Sequence, residues 1–142
     1  MGSISIYLNF NGQTEEAFEF YKSAFGGEFR TFTRFGDTGQ AAHIPADDHH
    51  KMMHVALPLL GGHVLMGTDI LESLGQSLTI GNNSYICISP DSKEEAMRLF
   101  ESLSDGAIIE MPLQDTFWGA YYGILKDKFG IQWMVNYEVT VS

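Results

Sequence analysis

Side chains that could bind a metal ion are concentrated in the run DDHH at positions 47–50. The run lies between Pro45 and Lys51, and no second run with regular ligand spacing follows it. Protein zinc sites are usually built from ligand pairs that recur at defined spacings. The pattern therefore favours a solvated loop, with adventitious metal binding as the alternative.

Two further histidines belong to apolar strands. His54 lies inside the run MHVAL (53–57), and His63 begins a strand after Gly61-Gly62. A lone histidine in a strand is usually a core residue whose hydrogen bonds are satisfied. His54 is therefore either such a core residue or part of a pocket, and His63 could simply face solvent.

The stretch from Met111 to Asn136 holds the residues that best fit a ligand pocket. Two apolar runs, Ala120 to Leu125 and Ile131 to Val135, flank KDKFG (126–130), whose glycine can supply the positive φ of a turn. We predict a hairpin with aromatic side chains on one wall of a pocket, which would suit a flat or cationic ligand. The candidates, each of which could instead be a core or turn residue, are Gln114, Asp115, Trp118, Tyr121, Tyr122 and Trp133.

Two of the candidate pocket residues are singled out by their neighbours. Trp118 follows a polar run and precedes Gly119, so we expect it at the mouth of the pocket. Arg34 lies one residue out of step with the aromatic face of its predicted strand. It either pairs with an acid, binds a carboxylate or phosphate of a ligand, or is simply exposed.

The composition excludes several classes of partner. The 142 residues include 18 acidic and 8 basic side chains, for a net charge of -10. Such a surface repels phosphate backbones and anionic membranes, so we expect no nucleic-acid and no membrane partner. No run approaches the roughly 18 apolar residues of a membrane span. The single cysteine, Cys87, rules out a disulfide within the chain and favours a buried thiol in a reducing compartment, so we expect a cytoplasmic protein.

Hydrophobic periodicity predicts the order strand, helix and three strands, given twice. Ser92 and Glu95 form a capping box at the start of the second helix, and Thr14 is a plausible N-cap of the first. Glu-Glu-Ala recurs at 15–17 and 94–96, an offset of 79, and GHVLM (62–66) matches GIQWM (130–134) at an offset of 68. The predicted strands are 4–10, 28–35, 52–60 and 63–67, then 85–89, 107–111, 120–125 and 131–135, with a long loop at 36–51.

Three motifs add a family resemblance: GQTEEAFEFYKSAFGG (12–27), MHVAL (53–57) and PLQDTFWGAYYGILKDKFGIQWMVN (112–136). They resemble the PhnB-like proteins, often labelled 3-demethylubiquinone methyltransferase-like, of the vicinal oxygen chelate superfamily. That superfamily also contains glyoxalase I, bleomycin-resistance proteins and extradiol dioxygenases. The resemblance implies an α+β fold in which two βαβββ modules form a curled mixed sheet around a cavity. It also implies one domain over 1–142, with module one at about 4–69 and module two at about 83–138, and a homodimer in which modules are often swapped.

Enzymes of the superfamily hold a metal ion through ligands at four matched strand positions, and the ion acts as a Lewis acid. Aligning the two modules carries these positions onto Ile6, Met66, Tyr85 and Met134. Thioethers suit soft Cu(I) rather than Mg, Mn, Fe or Zn, and no His or Glu lies one residue away. The sequence thus departs from the metal pattern of the glyoxalases and predicts neither a metal nor another cofactor.

These observations favour a protein that binds a small organic molecule in an aromatic, Met-lined cavity without metal. The alternative is a metal-dependent lyase, isomerase or dioxygenase of the glyoxalase type, whose ligands would lie elsewhere, with His54 the first to examine. A methyltransferase ranks last, because no predicted strand is followed by a Gly-rich loop for S-adenosylmethionine.

Overall fold

The computed structural model describes residues 2–39 and 41–138. The chain divides into two compact units, residues 1–79 and 80–142, and the predicted order βαβββ, given twice, is confirmed. The first unit contains β1 (Ile6–Phe10), α1 (Thr14–Phe25), β2 (Thr31–Arg34), β3 (Met52–Pro58) and β4 (Val64–Asp69). The second contains β5 (Ile86–Ile88), α2 (Lys93–Leu103), β6 (Ile108–Asp115), β7 (Ala120–Lys126) and β8 (Gln132–Glu138).

Each unit builds one four-stranded mixed sheet, and the two sheets have the same topology. The strand orders are β1-β4-β3-β2 and β5-β8-β7-β6. In both sheets the first strand runs parallel to the last, and the other pairs are antiparallel. A helix follows the first strand in each unit because a parallel partner can be reached only by a crossover.

In the first unit, α1 packs against one face of the sheet. A Cβ on Gly67 would lie 2.5 Å from Cε1 of Phe18, so the ring occupies the space of the missing side chain. Since side chains alternate along a strand, Leu65, Gly67 and Asp69 point toward α1. Met66 belongs to the far face, which is the face away from the helix.

The second unit repeats this arrangement around α2. A Cβ on Gly123 would lie 2.8 Å from Cε2 of Phe100. Leu125 on β7, and Trp133 and Val135 on β8, share the helix-facing side and are fully buried. Met134 and Asn136 therefore belong to the far face of the second sheet.

A buried carboxylate holds the first unit together at the end of β4. Oδ1 of Asp69 accepts hydrogen bonds from N–H of Gly12 (2.9 Å), N–H of Thr14 (3.1 Å) and Oγ1 of Thr14 (2.7 Å). Its Oδ2 accepts one from N–H of Met52 at 2.8 Å. Asp69 thus joins β4 to the starts of α1 and β3.

The two helices begin differently. Ser92 caps α2 as predicted, because its Oγ accepts the N–H of Glu95 at 3.1 Å. The prediction that Thr14 caps α1 is wrong, since its hydroxyl donates to Asp69 and the N-cap residue is Gln13, which makes no side-chain capping bond. In the part of the chain that the structure describes, no helix is long and apolar enough to cross a membrane.

Candidate functional site

The far face of the second sheet brings together a row of polar and aromatic side chains. Gln114 on β6 lies opposite Tyr122 on β7, and Tyr122 lies opposite Asn136 on β8. Directly opposite residues of antiparallel strands share a face. The neighbouring row consists of Met111, Ile124, Met134 and Cys87, so sulfur-bearing and aliphatic side chains adjoin the polar row.

Asn136 contributes an unsatisfied polar atom to this face. Its Oδ1 is buried and has no hydrogen-bond partner among the described residues. A buried acceptor without a partner costs about 1–3 kcal/mol of stability. Native proteins keep few such atoms without a partner, so this acceptor has room for an ordered water or for a donor group of a bound ligand.

Aromatic rings border the same row. Trp118 lies in the turn between β6 and β7, is 55% exposed, and meets Tyr122 edge-on with 5.8 Å between ring centroids. The hydroxyl of Thr116 donates to the carbonyl of Ala120 (2.8 Å) and accepts its N–H (3.1 Å), which closes this turn. The turn therefore presents an accessible indole beside Tyr122.

A hydrogen bond also crosses this face between the two edge strands. Oη of Tyr85, just before β5, donates to Oε2 of Glu110 on β6 at 2.9 Å, although two strands lie between β5 and β6. Because α2 packs on the other side, these side chains meet over the far face. The hydrogen bond to Glu110 raises the pKa of Tyr85, with smaller contributions from partial burial, the carboxylate charge and nearby Tyr122.

Three predicted pocket residues belong instead to the helix-facing side. Asp115 lies opposite Tyr121. From α2, Nζ of Lys93 lies 3.1 Å from Oδ1 of Asp115 and 4.6 Å above the Tyr121 ring. Trp133 is fully buried, and its Nε1–H donates to Oδ2 of Asp127 at 2.8 Å. Trp133 is therefore a core residue, which corrects its assignment to a pocket wall.

On the first sheet, His54 also lies on the far face. Its Nδ1 is 3.2 Å from Oη of Tyr7, and the two rings stack with centroids 5.7 Å apart. Tyr7 on β1 pairs with Met66 on β4, so its side chain crosses β4 to reach His54 on β3. His54 is half-buried and bonded to Tyr7, so this face carries an imidazole–phenol pair.

Arg34 is engaged within its own unit. Nη1 and Nη2 donate to the two carboxylate oxygens of Glu15, each at 2.8 Å, and Nη1 also donates to the carbonyl of His50. This bidentate pairing lowers the pKa of Glu15 and raises that of Arg34. Of the three alternatives for Arg34, the structure shows the first, in which the guanidinium pairs with an acidic side chain, that of Glu15.

Strand register corrects two of the four positions matched to the metal site. Ile6 pairs with Leu65, so it faces α1, whereas Tyr7 lies beside Met66. In the second sheet, the residue beside Met134 is Cys87 rather than Tyr85. The first strands of the two units begin 80 residues apart, at Ile6 and Ile86, whereas their helices begin 79 residues apart, at Thr14 and Lys93.

The corrected positions still do not fit the metal that the fold family uses. The residues beside the two methionines are a phenol and a thiol, and neither set resembles the imidazole and carboxylate ligands of hard or borderline divalent cations. Within residues 2–39 and 41–138, no three His, Cys, Asp or Glu side chains are grouped so as to hold a metal ion.

The run at 47–50 is more ordered than a solvated loop. Asp48 is buried and accepts hydrogen bonds from Ser73 (2.6 Å) and Lys51 (2.9 Å), which lower its pKa. Nε2 of His49 lies 2.9 Å from two backbone carbonyls, those of Ala41 and Ile44. These two side chains therefore hold the loop and do not converge on one point.

Cys87 differs from its predicted environment. It is exposed, because β5 is an edge strand, although partial burial of the sulfur raises the pKa of its thiol. Sequence reasoning also missed Glu110 and Asn136, and it favoured Tyr121, which faces α2, over Tyr122, which lies on the far face. Because side chains alternate along β7, Tyr121 and Tyr122 had to lie on opposite faces, and this alternation could have distinguished them from the sequence.

Comparison with known proteins agrees with this architecture. The family described as 3-demethylubiquinone-9 3-methyltransferase matches residues 2–136. Protein PA1353 from Pseudomonas aeruginosa is 38% identical, with a TM-score of 0.85 over 97% of this chain and 98% of that one. A putative 3-demethylubiquinone-9 3-methyltransferase from Bacillus cereus, called PhnB protein, is 26% identical, with a TM-score of 0.71 over 96% of this chain and 99% of that one.

A more distant structure has the same fold. The glyoxylase/bleomycin resistance protein/dioxygenase domain from Frankia sp. EAN1pec has a TM-score of 0.67, covers 98% of both chains and is 15% identical, so it shares the fold alone. The predicted fold class and the predicted family are both confirmed. The chain belongs to the PhnB-like 3-demethylubiquinone-9 3-methyltransferase family and has the fold of the glyoxalase/bleomycin resistance/dioxygenase type.

Proposed function

We propose that this protein binds a small organic molecule on the far face of its second sheet. The buried Oδ1 of Asn136, which has no partner among the described residues, carries the proposal. An N–H or O–H group of a ligand would satisfy this acceptor and recover the energy that the empty protein forgoes. The ligand would thus bind where the empty protein has an unpaired acceptor, Oδ1 of Asn136.

The surroundings of Asn136 support a ligand with an apolar body. Tyr122 lies beside it, Trp118 is within ring contact of Tyr122, and Ile124 and Met134 form the adjoining row. Small-molecule sites are typically apolar and aromatic with a few placed polar groups. Methionine adapts its shape to different ligands because its side chain is unbranched and flexible.

We propose that binding does not require a metal ion, because the donor atoms beside Met66 and Met134 are poor ligands for hard cations. The family description names a methyltransferase. The sequence has no strand followed by a Gly-rich loop for S-adenosylmethionine, so we do not extend that activity to this chain. The single cysteine supports a cytoplasmic location.

The test is a thermal-shift screen of small aromatic compounds with EDTA present. A compound at 100 times its Kd should stabilise the protein by about 2.7 kcal/mol. Asn136→Leu should abolish that shift while raising the stability of the empty protein by about 1 kcal/mol, since it removes an unsatisfied acceptor. Asn83→Leu, at an exposed position between β4 and β5, is the matched control. It should change neither the ligand-induced shift nor the stability of the empty protein.

Trp118→Ala separates a binding role from a packing role. Because the indole is more than half exposed, its loss should weaken ligand binding and leave the empty protein within about 0.5 kcal/mol of wild type. If Asn136→Leu retains full ligand binding, the proposed location is incorrect. Stabilisation that appears only when a divalent metal is added would favour the glyoxalase-type metalloenzyme instead.

A further inference from the structure

The far face of the second sheet holds a carboxylate among aromatic rings. Glu110 accepts the hydroxyl of Tyr85 through Oε2, and its other carboxylate oxygen has no partner among the described residues. Tyr122 lies close enough to Tyr85 to affect its pKa, and Trp118 contacts Tyr122. An exposed carboxylate is thus in contact with one phenol, and the rings of Tyr122 and Trp118 lie on the same side of the sheet.

This combination matches the chemistry of an organic ammonium group. Indole and phenol faces attract cations through the ring quadrupole, and a carboxylate adds a full opposite charge. A hydrogen bond from Tyr85 leaves the negative charge of Glu110 in place, because the phenol is a neutral donor. Oδ1 of Asn136 is a further acceptor on the same face.

Neither the lysine of α2 nor the lysine of β7 lies beside the ring of Tyr122. Lys93 is bound to Asp115 on the helix-facing side. Lys126 alternates onto the far face and pairs with Ile108, two residues before Glu110 on β6. It lies four residues along β7 from Tyr122, which is about 13 Å in an extended strand. Glu138, at the end of β8 and on the same face, adds further negative charge. The carboxylates of Glu110 and Glu138, in a protein whose net charge is -10, disfavour an anionic ligand at this face.

We propose that the ligand of this face is an organic cation, an amine or quaternary ammonium group on a flat apolar body, which is bound by Glu110, Tyr85, Tyr122 and Trp118. This inference rests on the small-molecule function proposed above and specifies its ligand class. Glu110 supplies the charge, the rings supply cation–π contact, and the row of Ile124 and Met134 accepts the apolar body.

The test is calorimetric titration at low ionic strength with four probes that share a phenyl ring. They are benzyltrimethylammonium, benzylamine, benzyl alcohol and phenylacetate. We expect both cations to bind at least about tenfold more tightly than phenylacetate, a difference of about 1.4 kcal/mol. Benzyltrimethylammonium has no N–H, so its binding separates the requirement for charge from a hydrogen bond to Asn136.

Glu110→Gln keeps an acceptor for Tyr85 and removes the charge. It should weaken cation binding by about tenfold and remove most of the salt dependence of that binding. The affinity for benzyl alcohol should change by less than about twofold. Glu101→Gln, an identical charge change at an exposed position of α2, should leave all four affinities unchanged.

Several outcomes would overturn the inference. Phenylacetate binding as tightly as the cations would do so, and so would a cation affinity that is unaffected by Glu110→Gln. If benzyl alcohol binds and Asn136→Leu abolishes that binding, but no preference for cations exists, then the proposed function stands and only the ligand class fails. If none of the four probes binds, both proposals fail.

Discussion

Replacing Asp69 by alanine should remove the hydrogen-bonding centre of the first unit. The side chain is 3% exposed and accepts four hydrogen bonds, three of them from backbone N–H groups. Gly12 is exposed and can turn to water, but Thr14 and Met52 are completely buried. Leaving these two N–H groups unsatisfied costs about 1–3 kcal/mol each, so Asp69→Ala should lose about 2–6 kcal/mol.

Urea unfolding followed by far-UV circular dichroism measures this loss. Asp69→Asn has the same size, but its amide cannot accept on both sides, so it should lose roughly half as much. Asp91→Ala, at an exposed position, should stay within about 0.5 kcal/mol of wild type. Hydrogen exchange gives a local readout, since the amides of Thr14 and Met52 should lose protection first. A loss below about 1 kcal/mol with unchanged protection of these amides would refute the assignment.

Three further predictions concern packing, pH and assembly. Gly123→Ala places a Cβ 2.9 Å from the Cα of Leu113, and since backbone cannot swing aside it should cost about 1–3 kcal/mol in the same urea assay. Arg34 lowers the pKa of Glu15 below 4.5, so the pair stabilises the fold above that pH and the benefit disappears as the pH falls through the lowered pKa. Glu15→Gln should therefore lower the free energy of unfolding by up to about 1 kcal/mol at pH 7. A difference in stability from wild type that persists or widens in thermal melts at acidic pH would contradict this. We also propose that the chain forms a homodimer, supported by Phe117, whose side chain is 96% exposed. Light scattering should give a molar mass twice that of one chain, and Phe117→Ser should lower this mass toward that of a single chain. A wild-type protein that is monomeric at micromolar concentration would disprove the proposal.

The sequence predicted the fold well because the fold depends on patterns that recur. Alternating strands, the Ser92 cap and the repeat of Glu-Glu-Ala at 15–17 and 94–96 were all readable before the structure. The strand register was not predicted, because the first strands of the two units are offset by 80 residues and the helices by 79, so an alignment on the helices places the strands one residue out of step. A shift of one residue transfers a strand's side chains to the other face. Ile6 was therefore matched where Tyr7 belongs.

The candidate site was predictable only in part, and for a similar reason. Gln114 and Trp118 were chosen for their surroundings in sequence, and the structure places Gln114 on the far face and Trp118 at its border, in ring contact with Tyr122. Asp115 and Tyr121 were chosen on the same grounds and lie on the other side. Which face packs on α2 is decided at Gly123, where Phe100 fills the space of the missing side chain. The contact between Tyr85 and Glu110 joins opposite edges of the sheet, so it cannot be predicted from a local sequence pattern.

The placement of the tryptophans makes intrinsic tryptophan emission a probe of the second unit alone. Both Trp118 and Trp133 lie in the second unit, so intrinsic tryptophan emission is silent about the first. Trp133 is fully enclosed and hydrogen-bonded, whereas Trp118 meets water. Their spectra should therefore divide into a blue component that acrylamide quenches poorly and a red component that it quenches readily. In a Trp118→Phe protein, the emission would report only on the core of the second unit.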